Sequence, residues 1–176
     1  MIKLRNLKIK DAEGMLEWMH DPEIASCFQK NMSEMTMENV LAFIEKYGCL
    51  AEKTDTRHYA VVDEKDTYLG TISLKSIDMT HKNAEYAVSL RSIARGKGVA
   101  EGATKLLLDI AFKELGLERV YLNVLAENTR AVHFYEKFGF REEGIFQKHL
   151  LLGGRFVDLK WYGLLREEYN KLDTKI

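Results

Sequence analysis

Val88-Ser89-Leu90-Arg91-Ser92-Ile93-Ala94-Arg95-Gly96-Lys97-Gly98-Val99-Ala100 is the stretch on which the reading of this chain turns. An apolar strand runs into a loop with two glycines, and the loop runs into the first turn of a long amphipathic helix. The first backbone N–H groups of a helix have no internal partner and lie at the positive end of its dipole. Glycine at alternate positions lets a large anion approach those amides with no Cβ in the way. The spacing points to a phosphate-bearing ligand. Taken alone, it equally admits an ordinary strand-to-helix turn.

The loop lacks the Gly-Lys-Ser/Thr ending that sets a hydroxyl on magnesium. It also lacks the third glycine and later acidic residue of a dinucleotide turn. Arg95-Gly96-Lys97-Gly98-Val99-Ala100 instead resembles the Gln/Arg-x-x-Gly-x-Gly/Ala signature of the GNAT superfamily of acyl-CoA-dependent N-acetyltransferases. Downstream, Asn128-Thr129-Arg130-Ala131-Val132-His133-Phe134-Tyr135-Glu136-Lys137-Phe138-Gly139-Phe140 is similar to the Asn-x-x-Ala-x-x-Phe-Tyr-x-x-x-Gly-Phe segment of those enzymes. The resemblance spans nearly the whole chain and is firmest from Ala84 to Phe140. It implies that the amides of Arg95, Gly96, Lys97, Gly98, Val99 and Ala100 hold the pyrophosphate of acetyl-CoA. It also implies that the edge of Val88-Ser89-Leu90 pairs with the pantetheine amides as an added strand would. The strands before and after the long helix are then expected to splay apart around that arm.

Working outward, 176 residues suit a single domain over 1–176 with a substantial core. Apolar residues make up 46% and charged residues 30%, which is soluble-globular usage. Lys plus Arg total 26 against 27 for Asp plus Glu, so no broad field favours nucleic acid or an anionic membrane, and neither is an expected partner. No apolar run is long enough to span a bilayer and no signal-peptide core is present, so a cytoplasmic location is expected. Cys27 and Cys49 form no ligand motif and are expected as free thiols. The five His residues show no metal spacing, and no metal site is expected.

Periodicity gives the elements. A strand covers Ile2 to Leu7, a helix starts near Asp11, and a short helix opens at Asp21-Pro22. A third helix runs from Thr36 to Tyr47, stopped by Gly48. Strands follow over Arg57 to Asp63, Tyr68 to Asp78 and Ala84 to Leu90. Helical spacing holds from Gly98 until Gly116 closes it. Arg119 to Leu125 is a strand, Asn128 caps the next helix, and the chain is expected to end in two strands around Gly153-Gly154. The order is that of an α/β protein of the α+β type, with a mixed, mostly antiparallel central sheet flanked by helices.

Acetyl transfer needs a positioned thioester, a group that takes the amine proton, and a group that manages the leaving sulfur. Tyr135 is the first catalytic candidate, since a phenol of pKa about 10 stays protonated at neutral pH and can donate to a thiolate. The resemblance implies that role; the helical spacing of Tyr135 with Ala131, Phe134 and Phe138 also allows plain core. Glu85 is the second candidate. It sits on the strand leading into the loop, where its carboxylate either takes the amine proton or lies on the wet face of an antiparallel strand. The side chains of Arg95 and Lys97 add positive charge near phosphate, or edge a solvated loop. Asn128 fits cofactor contact and helix capping alike, and Arg130 fits an adenosine phosphate or a solvated helix face. Trp18, Phe28, Met32, Met35 and Met37 are either acceptor-pocket lining or core. Where relatives often carry proline between strand and loop, this chain has Arg91-Ser92-Ile93. The resemblance implies transfer of acetyl from acetyl-CoA to a primary amine of a small molecule, an amino-sugar nucleotide or a polyamine. Acetylation of a protein N-terminus and non-catalytic acyl-CoA binding stand as alternatives. A homodimer is compatible with the chain.

Overall fold

Ala84 and Tyr86 are buried on either side of a more open Glu85, the period of a strand with one face turned to a core, while Tyr59 to Val62 are buried in an unbroken run, as in a strand covered on both faces. Among the described residues there are seven strands: β1 (Lys3–Asn6), β2 (Arg57–Val62), β3 (Tyr68–Asp78), β4 (Asn83–Leu90), β5 (Arg119–Leu125), β6 (Arg141–Leu152) and β7 (Arg155–Leu165). The helices are α1 (Ala12–His20), α2 (Pro22–Ala25), α3 (Met37–Tyr47), α4 (Val99–Asp109), α5 (Thr129–Phe138) and α6 (Arg166–Asp173). This computed structural model describes residues 1–25, 28, 31–48 and 55–173; Cys27 and Cys49 lie outside the described residues.

One sheet holds all seven strands in the order β1-β2-β3-β4-β5-β7-β6. Every pairing is antiparallel except β4 with β5. Helices cover both faces. On one side α1 and α3 pack Ala12, Met15, Trp18, Met19, Val40 and Ile44 onto Ala60, Val62 and Tyr68. On the other, α4 and α5 pack Val99, Ala103, Leu107, Val132 and Tyr135 onto Ile72, Leu74, Tyr86, Val120, Leu122 and Tyr162. Thr36 caps α3 by accepting from Asn39 N–H, and Asn128 caps α5 by accepting from Ala131 N–H at 3.2 Å.

Two elements depart from the sequence reading. The chain does not end on its last hairpin: α6 follows β7, and Tyr169 fixes it to α4 by packing on Phe112 and donating to Asp109 at 3.1 Å. The long helix is α-helical only to Asp109; Ile110–Glu114 form a π turn in which Leu115 N–H reaches Ile110 O, and Gly116 at φ +65° ends it. Gly153 and Gly154 both have positive φ, as the two-residue turn between β6 and β7 requires.

The feature that positions the site is the brevity of the β4–β5 pairing. Only Asn83↔Arg119, Ala84↔Val120 and Glu85↔Tyr121 are in register; beyond Glu85 the two strands part. The splay expected from the resemblance is therefore present.

Candidate active site

β4 ends at Leu90, a 3-10 turn over Ser92–Ala94 follows, and the chain swings through Gly96 and Gly98 into α4. Both glycines have φ +70°, in the left-handed region, and a Cβ on either would stand in open space. Their role is thus conformational, and the space beside them is free for a ligand. The first bond inside α4 runs from Gly102 N–H to Gly98 O at 3.0 Å, which leaves the amides of Val99, Ala100 and Glu101 without a partner in the helix. Three convergent N–H groups at the positive end of an eleven-residue helix make a site for phosphate.

From that turn a cleft of about 770 Å³ runs between the parted strands. Glu85, Ala87 and Ser89 line it from one face of the sheet, and Tyr86 and Val88 from the other, so it passes through the sheet. The structure brings Glu85, Val88, Ser89, Leu90, Arg95, Gly96, Gly98, Val99, Ala100, Asn128, Arg130 and Tyr135 to this opening. Lys97 is exposed and is not among the lining residues. Asn128 caps α5 and lines the cleft at once, while Arg130 is an exposed residue at its edge. Of the N-terminal candidates, Phe28 and Met32 line the cleft; Trp18 is core, stacked on Phe28.

Arg95 is engaged differently from the sequence expectation. Its guanidinium donates to Asp21 Oδ2 at 3.0 Å and to Glu23 Oε2, tying the glycine turn to the start of α2. With two carboxylates on it, the side chain serves as a staple between the two walls of the cleft.

Tyr135 lies on the α5 side, its ring edge-on to Tyr86 and packed near Phe140 and Tyr162. Tyr86 also lines the cleft, but its hydroxyl is taken by Thr104 at 2.7 Å, and burial, with the charge of Tyr135 next, pushes its pKa well above the ordinary phenol range.

Glu85 approaches from the opposite face. Its Oε1 accepts from Lys75 Nζ at 2.7 Å and from Asn123 Nδ2 at 3.3 Å. The pair is partly open to solvent, 37% exposed at Lys75 and 21% at Glu85. An ion pair of that exposure contributes no more than about 1 kcal/mol to the fold, which makes it a weak brace. Sequence reading missed Lys75 and Asn123. Lys75 was within reach, because it is the cross-strand partner of Glu85, but a β-bulge between Lys75 and Asp78 shifts the register. Counting two residues back from the Asp78↔Asn83 pair would instead set Ser76 opposite Glu85. Among the described residues no group of three or more His, Cys, Asp or Glu is placed to hold a metal ion.

The residues fit acetyl-CoA. The amide turn would take a diphosphate and the open edge of β4 an extended amide chain, and the cleft beside them is lined by Glu85 and Tyr135. Comparison with known proteins gives the same result. An acetyltransferase (GNAT) domain model matches residues 2–141. Spermidine N(1)-acetyltransferase of Vibrio cholerae is 34% identical over 113 residues, covering 64% of this chain and 65% of that enzyme, just under two thirds of its length. The Escherichia coli K12 spermidine N(1)-acetyltransferase is 28% identical over 155 residues, 88% of this chain and 81% of that one. The crystal structure of the Vibrio cholerae spermidine N-acetyltransferase with CoA and spermine superposes with a TM-score of 0.86 at 27% identity, covering 96% of this chain and 98% of that one. Left-handed glycines, parted strands and the family match fall on the same residues: the chain belongs to the GNAT family of acetyltransferases.

Proposed function

We propose that the protein transfers an acetyl group from acetyl-CoA to a primary amine of a small molecule, of the polyamine or amino-sugar nucleotide class. When bound, acetyl-CoA supplies an acetyl group already activated as a thioester. The amides of Val99 and Ala100 and the turn at Gly96 and Gly98 hold its diphosphate, and Val88, Ser89 and Leu90 offer β4 as the edge for its pantetheine arm. A primary amine of pKa near 10 is almost wholly protonated at neutral pH and has no lone pair to give. Glu85 takes that proton, directly or through one water, so that the C–N bond can form as the C–S bond breaks. The Tyr135 phenol gives its proton to the departing sulfur and is reprotonated by the second proton that the acylated nitrogen sheds, so the products are an acetamide and a thiol.

One observation carries the reading. The cleft crosses the sheet where β4 and β5 part, so a carboxylate from one face and a phenol from the other share one opening. The acceptors named for the related enzymes support a small amine. The presence of both groups in one cleft speaks against a purely binding role.

Calorimetry with acetyl-CoA, followed by thiol release with an amine panel, tests the proposal. Tyr135→Phe is expected to retain acetyl-CoA affinity and lose about tenfold or more in kcat. Glu85→Gln is expected to change the pH–rate profile of acetylation. Absence of acetyl-CoA binding would remove the reading; an unchanged kcat in Tyr135→Phe would remove only the role of the phenol.

A further inference from the structure

Lys75 and Glu85 present one charge of each sign to the acceptor side of the cleft, 2.7 Å apart and partly open to solvent. Ile24, Phe28 and Met32 add apolar surface to the same cleft. The other carboxylate on this side, Glu23, is held by Arg95. Glu85 and Glu23 are thus each already matched by a cation. That pattern suits one kind of acceptor. An amine that carries only positive charge would reach Glu85 with the Lys75 ammonium beside it, and like charges at such separations repel. An amine with an anion nearby meets no such conflict. Its ammonium takes the place of Lys75 on Glu85, its anion takes Lys75, and the charge of the cleft is unchanged.

Resting on the acetyl-transfer reading and narrowing its acceptor away from the polyamines, we infer that the acceptor is a primary amine with a carboxylate or phosphate a few bonds away, and that Lys75 is the residue that selects it. Lys75 acts here on the substrate's anion and takes no part in proton transfer. The relatives named for spermidine share 28–34% of aligned residues with this chain, and such distances leave acceptor-contacting side chains free to differ.

Matched twins of amines test this. Thiol release is measured with 4-aminobutyrate against butylamine, phosphoethanolamine against ethanolamine, and spermidine, all at saturating acetyl-CoA. The two twin sets distinguish carboxylate from phosphate. At least one anionic twin is expected to exceed its neutral twin and spermidine by about tenfold or more in kcat/KM. In Lys75→Gln that ratio is expected to fall by about tenfold, towards one, and in Lys75→Arg to stay within about threefold of the wild type. Calorimetry of the preferred anionic amine with desulfo-CoA present gives a second readout, in which Lys75→Gln is expected to lose binding. Equal rates for both twins, a ratio untouched by Lys75→Gln, or spermidine ahead by tenfold overturns the inference while leaving acetyl transfer in place. Failure to bind acetyl-CoA overturns both. The wild-type ratios decide the matter even if the Gln variant does not fold, and thermal melting shows whether it does.

Discussion

His58 shows how a single side chain is set by its surroundings. Its Nδ1 lies 2.7 Å from Ser73 Oγ, and its ring packs against Phe43 and Tyr47 at 4.7 and 4.9 Å. Burial, and then the charge of Lys75, lower its pKa from 6.5 to about 4. Below pH 6.5 the unfolded chain therefore takes up a proton that the folded chain refuses, and stability falls as the pH drops from 6.5 towards 4. The stability lost through this one group is on the order of 2 kcal/mol, and it is fully present above pH 6.5. Urea denaturation at pH 7 and pH 4.5 checks this: the wild-type midpoint should fall, and His58→Phe should lose part of that pH dependence. Glu85, Tyr135 and Asn128, each singled out by its own chemistry in the sequence, all line the cleft. Lys75 was not singled out, because its meaning comes from a strand partner ten positions away across a bulged hairpin.

Among elements, legibility followed the strength of the repeat. β3, over Tyr68–Asp78, and β5, over Arg119–Leu125, match their sequence bounds, as runs of apolar residues between turn signals should. α6 was unread. Its sequence, Arg166-Glu167-Glu168-Tyr169-Asn170-Lys171-Leu172-Asp173, carries two apolar residues and no stripe, and its place depends on Tyr169 reaching α4. The π turn at Ile110–Glu114 was invisible for another reason: it shifts hydrogen bonds without disturbing the apolar spacing. At the head of α4 the element and the site coincide. Gly98→Ala forces a Cβ into a left-handed residue at about 1–2 kcal/mol and places it beside the amides meant for phosphate. Calorimetry should show acetyl-CoA affinity reduced by about tenfold or more, with a stability loss confined to that range.

At the scale of the whole molecule, helices on both faces leave each cluster of core residues dependent on one shared sheet. Tyr169 closes the α4 side from the C-terminal end, buried against Phe112 with its hydroxyl on Asp109. Tyr169→Ala should cost about 3 kcal/mol, read as a lower urea midpoint at unchanged slope, without altering the cleft residues. That loss would separate the scaffold from the chemistry. The two halves of the sheet meet between β4 and β5 at a seam only three residue pairs long. A ligand lying in the gap becomes a keystone, bonded to one leaf along β4 and wedged against the other. Occupancy and stiffness then rise together, and amide exchange along both leaves should slow when the gap is filled.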